Sequence, residues 1–336
     1  MNAPLPVVLD VDTGVDDACA LLLAAAHEAL DLRAVTCVGG NASLEDVVAN
    51  TLTVLDAAER QDVPVAAGAA RPLLEPAREA RHVHGQDGMG DLDWPRSERA
   101  PDARFATELL RDVLREAALG GPDALVTLVP LAPMTNIALL LRSYPDVVAG
   151  LREIVFMGGA AAVGNATASA EFNVWHDPEA AAIVLEVAAE AALPVTMYGL
   201  DVFYDVQVTS GQGEALMAYG RVSGSRAAEL AGALIGFQCR RMGSPHATIG
   251  DAGAVCAVID RAGLTTERLP VGVELGGAYS RGRTVVDRRP RDADLPLPAQ
   301  DPSRPAATDV DVALRVDAER YARLWIDTVG RPGMGR

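Results

Sequence analysis

Short apolar runs alternate along this chain with longer segments whose apolar positions recur at helical spacing. Val7-Val8-Leu9 is apolar at both parities, as a strand buried on both faces must be. Runs of this kind predict strands over residues 7–11, 32–38, 63–67, 124–129, 153–157 and 195–200. Helices are predicted over 17–27, after a Ser43 N-cap, and over 105–118, 134–142 and 178–191. The last of these opens on Asp177 and Pro178, an N-cap followed by a first helical residue. Helices over about 213–242 and 251–261 follow, then two or three strands within 269–336 and a final helix over 318–329. Residues 71–101 and 288–305, rich in Pro and charge, read as loops. Strands alternating with helices imply βαβ units. The expected fold is therefore α/β, with a doubly wound, mainly parallel, Rossmann-like sheet flanked by helices. No internal repeat is visible, and strand-forming sequence resumes after 288–305, so a single domain over 1–336 is expected.

Composition narrows the chemistry. The 336 residues carry 29 basic and 46 acidic side chains, a net charge of −17, and every basic one is Arg. Without Lys there is no Walker A phosphate loop and no Schiff-base lysine. The acidic balance argues against nucleic acid and anionic membrane as partners, since both need concentrated positive charge. No apolar run reaches the roughly 20 residues of a membrane span. The segment from Met1 to Pro6 lacks the basic region of a signal peptide, so a cytoplasmic protein is expected. Cys19, Cys37, Cys239 and Cys256 are far apart with no CxxC pair, and are expected to be reduced.

In open parallel sheets ligands bind beyond the carboxyl ends of the strands. Asp10-Val11-Asp12-Thr13-Gly14-Val15-Asp16-Asp17 spans such an end, with four carboxylates in eight residues. A helix N-terminus stabilises one or two anions, but four crowded carboxylates repel one another. A divalent cation relieves that conflict, and oxygen ligands suit Ca²⁺ or Mg²⁺ rather than zinc. Asn41, Asn165, Glu171, Asn173 and Asp251 lie at other predicted strand ends or loops. Together they describe a polar pocket suited to sugar hydroxyls and poorly suited to phosphate.

These residues carry a resemblance. The chain resembles the inosine-uridine nucleoside hydrolase family through the Asp10–Ala18 segment, with Thr13 where the family usually has Pro. The match continues through Gly40-Asn41, His84-Gly85, Val129-Pro130-Leu131 with Thr135-Asn136, and Met157-Gly158-Gly159. Gly164-Asn165-Ala166-Thr167, Glu171-Phe172-Asn173, Asp177-Pro178-Glu179-Ala180 and Thr265-Thr266-Glu267-Arg268 follow in order. The resemblance implies Ca²⁺ held by Asp12, Asp17, Asp251 and the main-chain carbonyl of Leu131. It implies Asp12 as the general base for a water. Ribose would be bound by Asp16, Asn41, Asn165, Glu171 and Asn173, with Met157 beside the sugar and Asp10 as support. The implied activity is hydrolysis of the N-glycosidic bond of a ribonucleoside, by a homodimer or homotetramer. Residues 71–101 and 209–250 are expected to flank the active site.

The base-binding half departs from the family. Many members carry His just before the aspartate matching Asp251, and some carry Trp; this chain has Gly250. Positions that hold tyrosines in some relatives align with Leu234 and Gln238. His84 and His246 are the remaining candidates to protonate the leaving base. A slow enzyme on common nucleosides, or one whose leaving group departs unprotonated, is expected. Two other readings stand beside this one. One is a catalytically silent nucleoside- or ribose-binding protein. The other is a haloacid-dehalogenase-like phosphohydrolase built on Asp10-Val11-Asp12-Thr13, which the missing Lys weakens.

Overall fold

The computed structural model describes residues 3–289 and 307–330. Strand β1 (Leu5–Val11) pairs in parallel with β2 (Leu30–Cys37) on one side, and β2 pairs in parallel with β3 (Val65–Ala67). On its other side β1 pairs in parallel with β4 (Val126–Pro130), followed outward by β5 (Leu151–Met157) and β6 (Val195–Tyr198). The chain thus builds outward from β1, then returns to build outward on the opposite side. The β1/β4 junction is the switch point of a doubly wound sheet, where a crevice opens beyond the carboxyl ends. A two-stranded ladder of β7 (Gln207–Thr209) and β8 (His246–Thr248) stands apart. Strands β9 (Leu264–Val273), β10 (Thr284–Val286) and β11 (Thr308–Val316) extend the main sheet, giving the order β10-β9-β11-β6-β5-β4-β1-β2-β3. Strand β11 is parallel to β6, and β9 is antiparallel to β11.

Alternation along β1 distributes its side chains between two cores. Val7, Leu9 and Val11 pack with helices Val15–Ala26, Leu44–Ala57, Arg226–Met242, Ala252–Ile259 and Ala318–Val329. Val8 packs on the opposite face with helices Ala106–Leu119, Thr135–Ser143 and Pro178–Glu190. The expected α/β architecture is present, mainly parallel and covered on both faces.

Several expectations are refined. The helix expected over 213–242 is two helices, Ser210–Ser223 and Arg226–Met242. Gly224, at φ 82°, ends the first in the left-handed region, and Ser225 caps the second by accepting from the Ala228 N–H. The three-residue strands β7 and β8 are too short to show a period and were not anticipated. Predicted caps Ser43 and Asp177 both accept backbone N–H bonds, from Asp46 at 3.2 Å and Ala180 at 3.0 Å. Within the predicted loop 71–101 a short helix, Arg81–His84, forms. Of the predicted loop 288–305, residues 290–305 lie outside the described residues. The four cysteines are buried and free, as expected. Among the described residues, no helix is long and apolar enough to cross a membrane.

Candidate active site

The carboxyl end of β1 delivers Asp10 and Asp12, both fully buried. Asp10 Oδ1 accepts from Thr36 Oγ1 at 2.5 Å and Asn136 Nδ2 at 2.8 Å, while Oδ2 is buried with no hydrogen-bond partner among the described residues. Asn136 also donates to the Cys37 carbonyl and accepts from the Ala69 N–H, tying together the ends of β1, β2 and β3. The Asp10 carbonyl accepts from the Leu131 N–H at 2.8 Å, which fixes the start of the loop after β4. Burial pushes the Asp10 carboxyl up to about 7, against the lowering effect of its two donors.

Asp12 is held by Asn41, whose backbone N–H reaches Oδ2 at 2.8 Å and whose Nδ2 reaches Oδ1 at 3.1 Å. This approach requires Gly40, since a Cβ there would stand 2.0 Å from Asp12 Oδ2. Asn41 Nδ2 also reaches Asp17 Oδ2 at 3.2 Å, so one amide bridges two carboxylates. Asp17 accepts in addition from the N–H groups of Gly14 at 2.9 Å and Asp12 at 3.3 Å, as an acid in a first helical turn should.

Carboxylate oxygens of Asp16, Asp17 and Asp251 converge within 4.8 Å of one another. Asp251 enters from the start of helix Ala252–Ile259. Burial and then the Asp16 charge push Asp17 up to about 7. Asp12 and Asp251 are likewise raised, first by burial and then by neighbouring acids. Asp16 Oδ1 is buried with no hydrogen-bond partner among the described residues. Buried carboxylates pushed toward protonation by desolvation and then by one another's charge, with an all-oxygen donor set, fit a hard divalent cation. The geometry gathers Asp16 with Asp17 and Asp251, and turns Asp12 toward Asn41.

The facing wall comes from β4, β5 and the segment after them. Asn173 Nδ2 donates to the Leu131 carbonyl at 2.9 Å and to the Met157 carbonyl at 3.2 Å, clamping the ends of β4 and β5. Among the described residues nothing donates to its Oδ1, which leaves that oxygen for a ligand. Glu171 caps the short helix Phe172–His176, accepting from the N–H groups of Asn173, Val174 and Gly159. Burial pushes Glu171 up to about 7 despite those bonds. Met157 is buried beside Asn173. Asn165 is exposed at the rim, where its Oδ1 accepts from the Phe172 N–H and its Nδ2 donates to the Tyr204 hydroxyl at 3.4 Å.

The two histidines fare differently. His84 is buried, and its Nδ1 accepts the Val15 N–H at 3.2 Å. The proton of the neutral ring therefore sits on Nε2. Nδ1 also lies 3.7 Å from Asp16 Oδ1, yet burial outweighs that charge and pushes the imidazole down. His246 is exposed in β8, opposite Thr209, and its ring makes no hydrogen bond or ion pair among the described residues. Gly250 sits at φ +52°, and a Cβ there would come 2.6 Å from Asp16 Cβ and 2.8 Å from Phe203 Cζ. Leu234 is fully buried in the core, and Gln238 is partly buried, its Nε2 without a partner among the described residues.

Sequence reading named Asn136 within a matching motif but gave it no role, and it missed Thr36 and Phe203-Tyr204. The last pair follows the carboxyl end of β6, so the strand-end rule that singled out Asp10–Asp17 points to it as well.

Comparison with known proteins shows which family the chain is similar to. The family model described as "Inosine-uridine preferring nucleoside hydrolase" matches residues 7–323. The chain is 38% identical over 334 residues to the inosine-uridine preferring nucleoside hydrolase of Leishmania major, covering 98% of this chain and 99% of that protein. It is 38% identical over 284 residues to the pyrimidine-specific ribonucleoside hydrolase RihA of Salmonella enteritidis PT4, covering 84% and 88%. Among solved structures it superposes on the plant nucleoside hydrolase PpNRh1 with a TM-score of 0.85 at 29% identity, over 98% of this chain and 100% of that one. The purine-preferring ribonucleoside hydrolase of Gardnerella vaginalis gives 0.82 at 26% identity, over 97% and 98%. With its acidic crevice at the switch point and a match along nearly its whole length, this chain belongs to the inosine-uridine preferring nucleoside hydrolase family.

Proposed function

We propose that this protein is a Ca²⁺-dependent N-ribohydrolase, converting a ribonucleoside and water to ribose and free base. The observation that carries the reading is the convergence of half-buried Asp16 with buried Asp17 and Asp251 beside Asp12, opposite an amide- and carboxylate-lined wall. Asp12, Asp17, Asp251 and the Leu131 carbonyl would hold the cation. When bound, the cation acidifies a water and orients the ribose diol. Asp12 takes the proton from the attacking water. Asp16, Asn41, Asn165, Glu171 and Asn173 hold the sugar hydroxyls, and Met157 packs against the ring. The surrounding carboxylates stabilise the positive charge that develops on the sugar as the glycosidic bond breaks, so binding strengthens in the transition state.

Departure of the base is the slow element of this reading. His84, neutral and with Nδ1 occupied, offers only its Nε2–H as a donor. Gly250 supplies no side chain, and His246 is solvent-exposed. Leaving groups that depart as stable anions are therefore favoured. The test is ribose release from p-nitrophenyl riboside, inosine and uridine, with and without EDTA. Chelator-sensitive cleavage of the nitrophenyl riboside, with slower turnover of inosine and uridine, is expected. Rapid inosine turnover unaffected by His84→Ala or His246→Ala would sink the leaving-group argument. Tight binding without turnover would point instead to a silent nucleoside-binding member, a reading that Gly250 favours. Family membership displaces the phosphohydrolase reading of the Asp10–Thr13 segment. The proposal includes a nucleoside as the small-molecule partner, no nucleic acid or membrane, and a cytoplasmic homodimer or homotetramer, which light scattering reads.

A further inference from the structure

The segment after β6 brings two aromatic rings to the crevice. Gly199 leads into the short helix Leu200–Phe203, and Tyr204 follows at its end. The Phe203 ring tip occupies the space that a side chain at Gly250 would use, 2.8 Å from an ideal Cβ there. The Phe203 carbonyl accepts from Thr248 Oγ1 at 2.9 Å, which pins this backbone to β8. Tyr204 packs edge-on against Phe203, with ring centroids 5.0 Å apart and planes at 83°. Its position is therefore set by a packed neighbour.

The direction of its hydrogen bonding is set as well. Asn165 Oδ1 is occupied by the Phe172 N–H at 2.9 Å, which turns Nδ2 toward the Tyr204 oxygen. A phenol that accepts from an amide has its own proton left to donate. Among the described residues nothing takes that proton. Tyr204 is 46% exposed, and its hydroxyl lies against exposed Asn165. Burial, with help from the Asp16 and Glu171 charges, keeps the phenol protonated.

We propose that Tyr204 is a substrate-contacting, specificity-determining residue, donating a hydrogen bond to the 5′-hydroxyl oxygen of the bound ribonucleoside. The inference rests on the hydrolase reading above. With the 2′,3′-diol taken up at the acidic cluster, C5′ carries the only other sugar hydroxyl. A donor beside Asn165 at the rim is placed to meet it.

The experiment compares wild type with Tyr204→Phe on uridine and 5′-deoxyuridine, in Ca²⁺. The variant keeps the ring and its packing on Phe203, and the site is half exposed, so folding is not at stake. Loss of one hydrogen bond predicts a fall of about 5- to 10-fold in kcat/KM for uridine and under about 2-fold for 5′-deoxyuridine. Equal losses on both substrates, or no loss on uridine, would overturn the assignment. Failure of wild type to cleave either nucleoside leaves the contact to be read from binding, and the hydrolase reading itself fails only if inosine and p-nitrophenyl riboside also stay intact. The same comparison is then made on Kd by calorimetry: a weakening confined to uridine supports the Tyr204 contact, and an equal effect on both refutes it.

Discussion

Replacing Asp10 by Asn tests whether the acidic crevice is a place of stored electrostatic strain. Asp10 is fully buried, and burial raises its carboxyl from 3.8 to about 7. The sign follows from linkage: the folded chain holds this proton more tightly than the unfolded chain. The associated stability is complete below the unfolded value and is lost as pH rises to about 7. Above that pH a shift of about 3 units amounts to roughly 4 kcal/mol of destabilisation. About 2 of those units, roughly 3 kcal/mol, fall between pH 5 and 7. In Asp10→Asn the amide oxygen keeps the Thr36 and Asn136 donors, while the amide nitrogen inherits the unpartnered Oδ2 position, costing about 1–3 kcal/mol at every pH. The stability of the variant relative to wild type should therefore improve by roughly 3 kcal/mol between pH 5 and pH 8. Guanidinium unfolding in EDTA, followed by the fluorescence of buried Trp325, measures this. A difference that stays flat with pH, or moves the other way, would refute the reasoning. The Ca²⁺ concentration for half-maximal activity should rise about 10- to 100-fold in the same variant, because a charge supporting the cation site has been removed.

Calcium should stabilise the protein more at pH 8 than at pH 5. The raised Asp12, Asp17 and Asp251 carboxyls keep their protons in the cation-free fold at low pH and repel once ionised, and a Tm gap between Ca²⁺ and EDTA that shrinks with pH would contradict this. Gly40→Ala drives a methyl into Asp12 Oδ2, 2.0 Å away, and should lower kcat by about 100-fold or more with a modest change in Tm. Near-normal turnover would show that Asp12 does not need its Asn41 clamp. His176 is fully buried, neither ring nitrogen has a partner among the described residues, and burial pushes it down to about 4. Because the unfolded chain takes that proton first, stability is lost as pH falls from 6.5 toward 4, by roughly 3 kcal/mol. The variant His176→Leu should flatten this acid limb in a pH series of Tm values, and an unchanged limb would place the acid sensitivity elsewhere.

The parts of the molecule legible in advance are those whose physics is local. Val7 to Val11 announced a strand buried on both faces, because consecutive apolar residues in a pleated chain must face opposite ways. The Asp10–Asp17 cluster was legible because one strand end and one helix start, adjacent in sequence, confine all four acids. The Ser43 and Asp177 caps were legible because a cap bonds to a backbone N–H three residues on. Gly224, which splits the long helical region, carried a local signal too, but periodicity on both sides masked it.

What tertiary packing alone decided joins residues far apart in the chain. Asn136 reaches Asp10 across 126 positions, so no local pattern marks it as the support of that carboxylate. The tautomer of His84 is set by the Val15 N–H, 69 positions away, and burial keeps the ring neutral, so a candidate acid became a neutral donor. His246 sits close to Gly250 in sequence, but pairing of β8 with β7 carries it to an exposed edge. Gly250 read as a missing catalytic side chain. In the fold its bare, left-handed backbone is also a steric requirement, because Asp16 and Phe203 converge on it. Residue spacing reports which groups a single element carries on one face. The assembly of β1, β4, β5 and β6 around one crevice determines which of those groups meet.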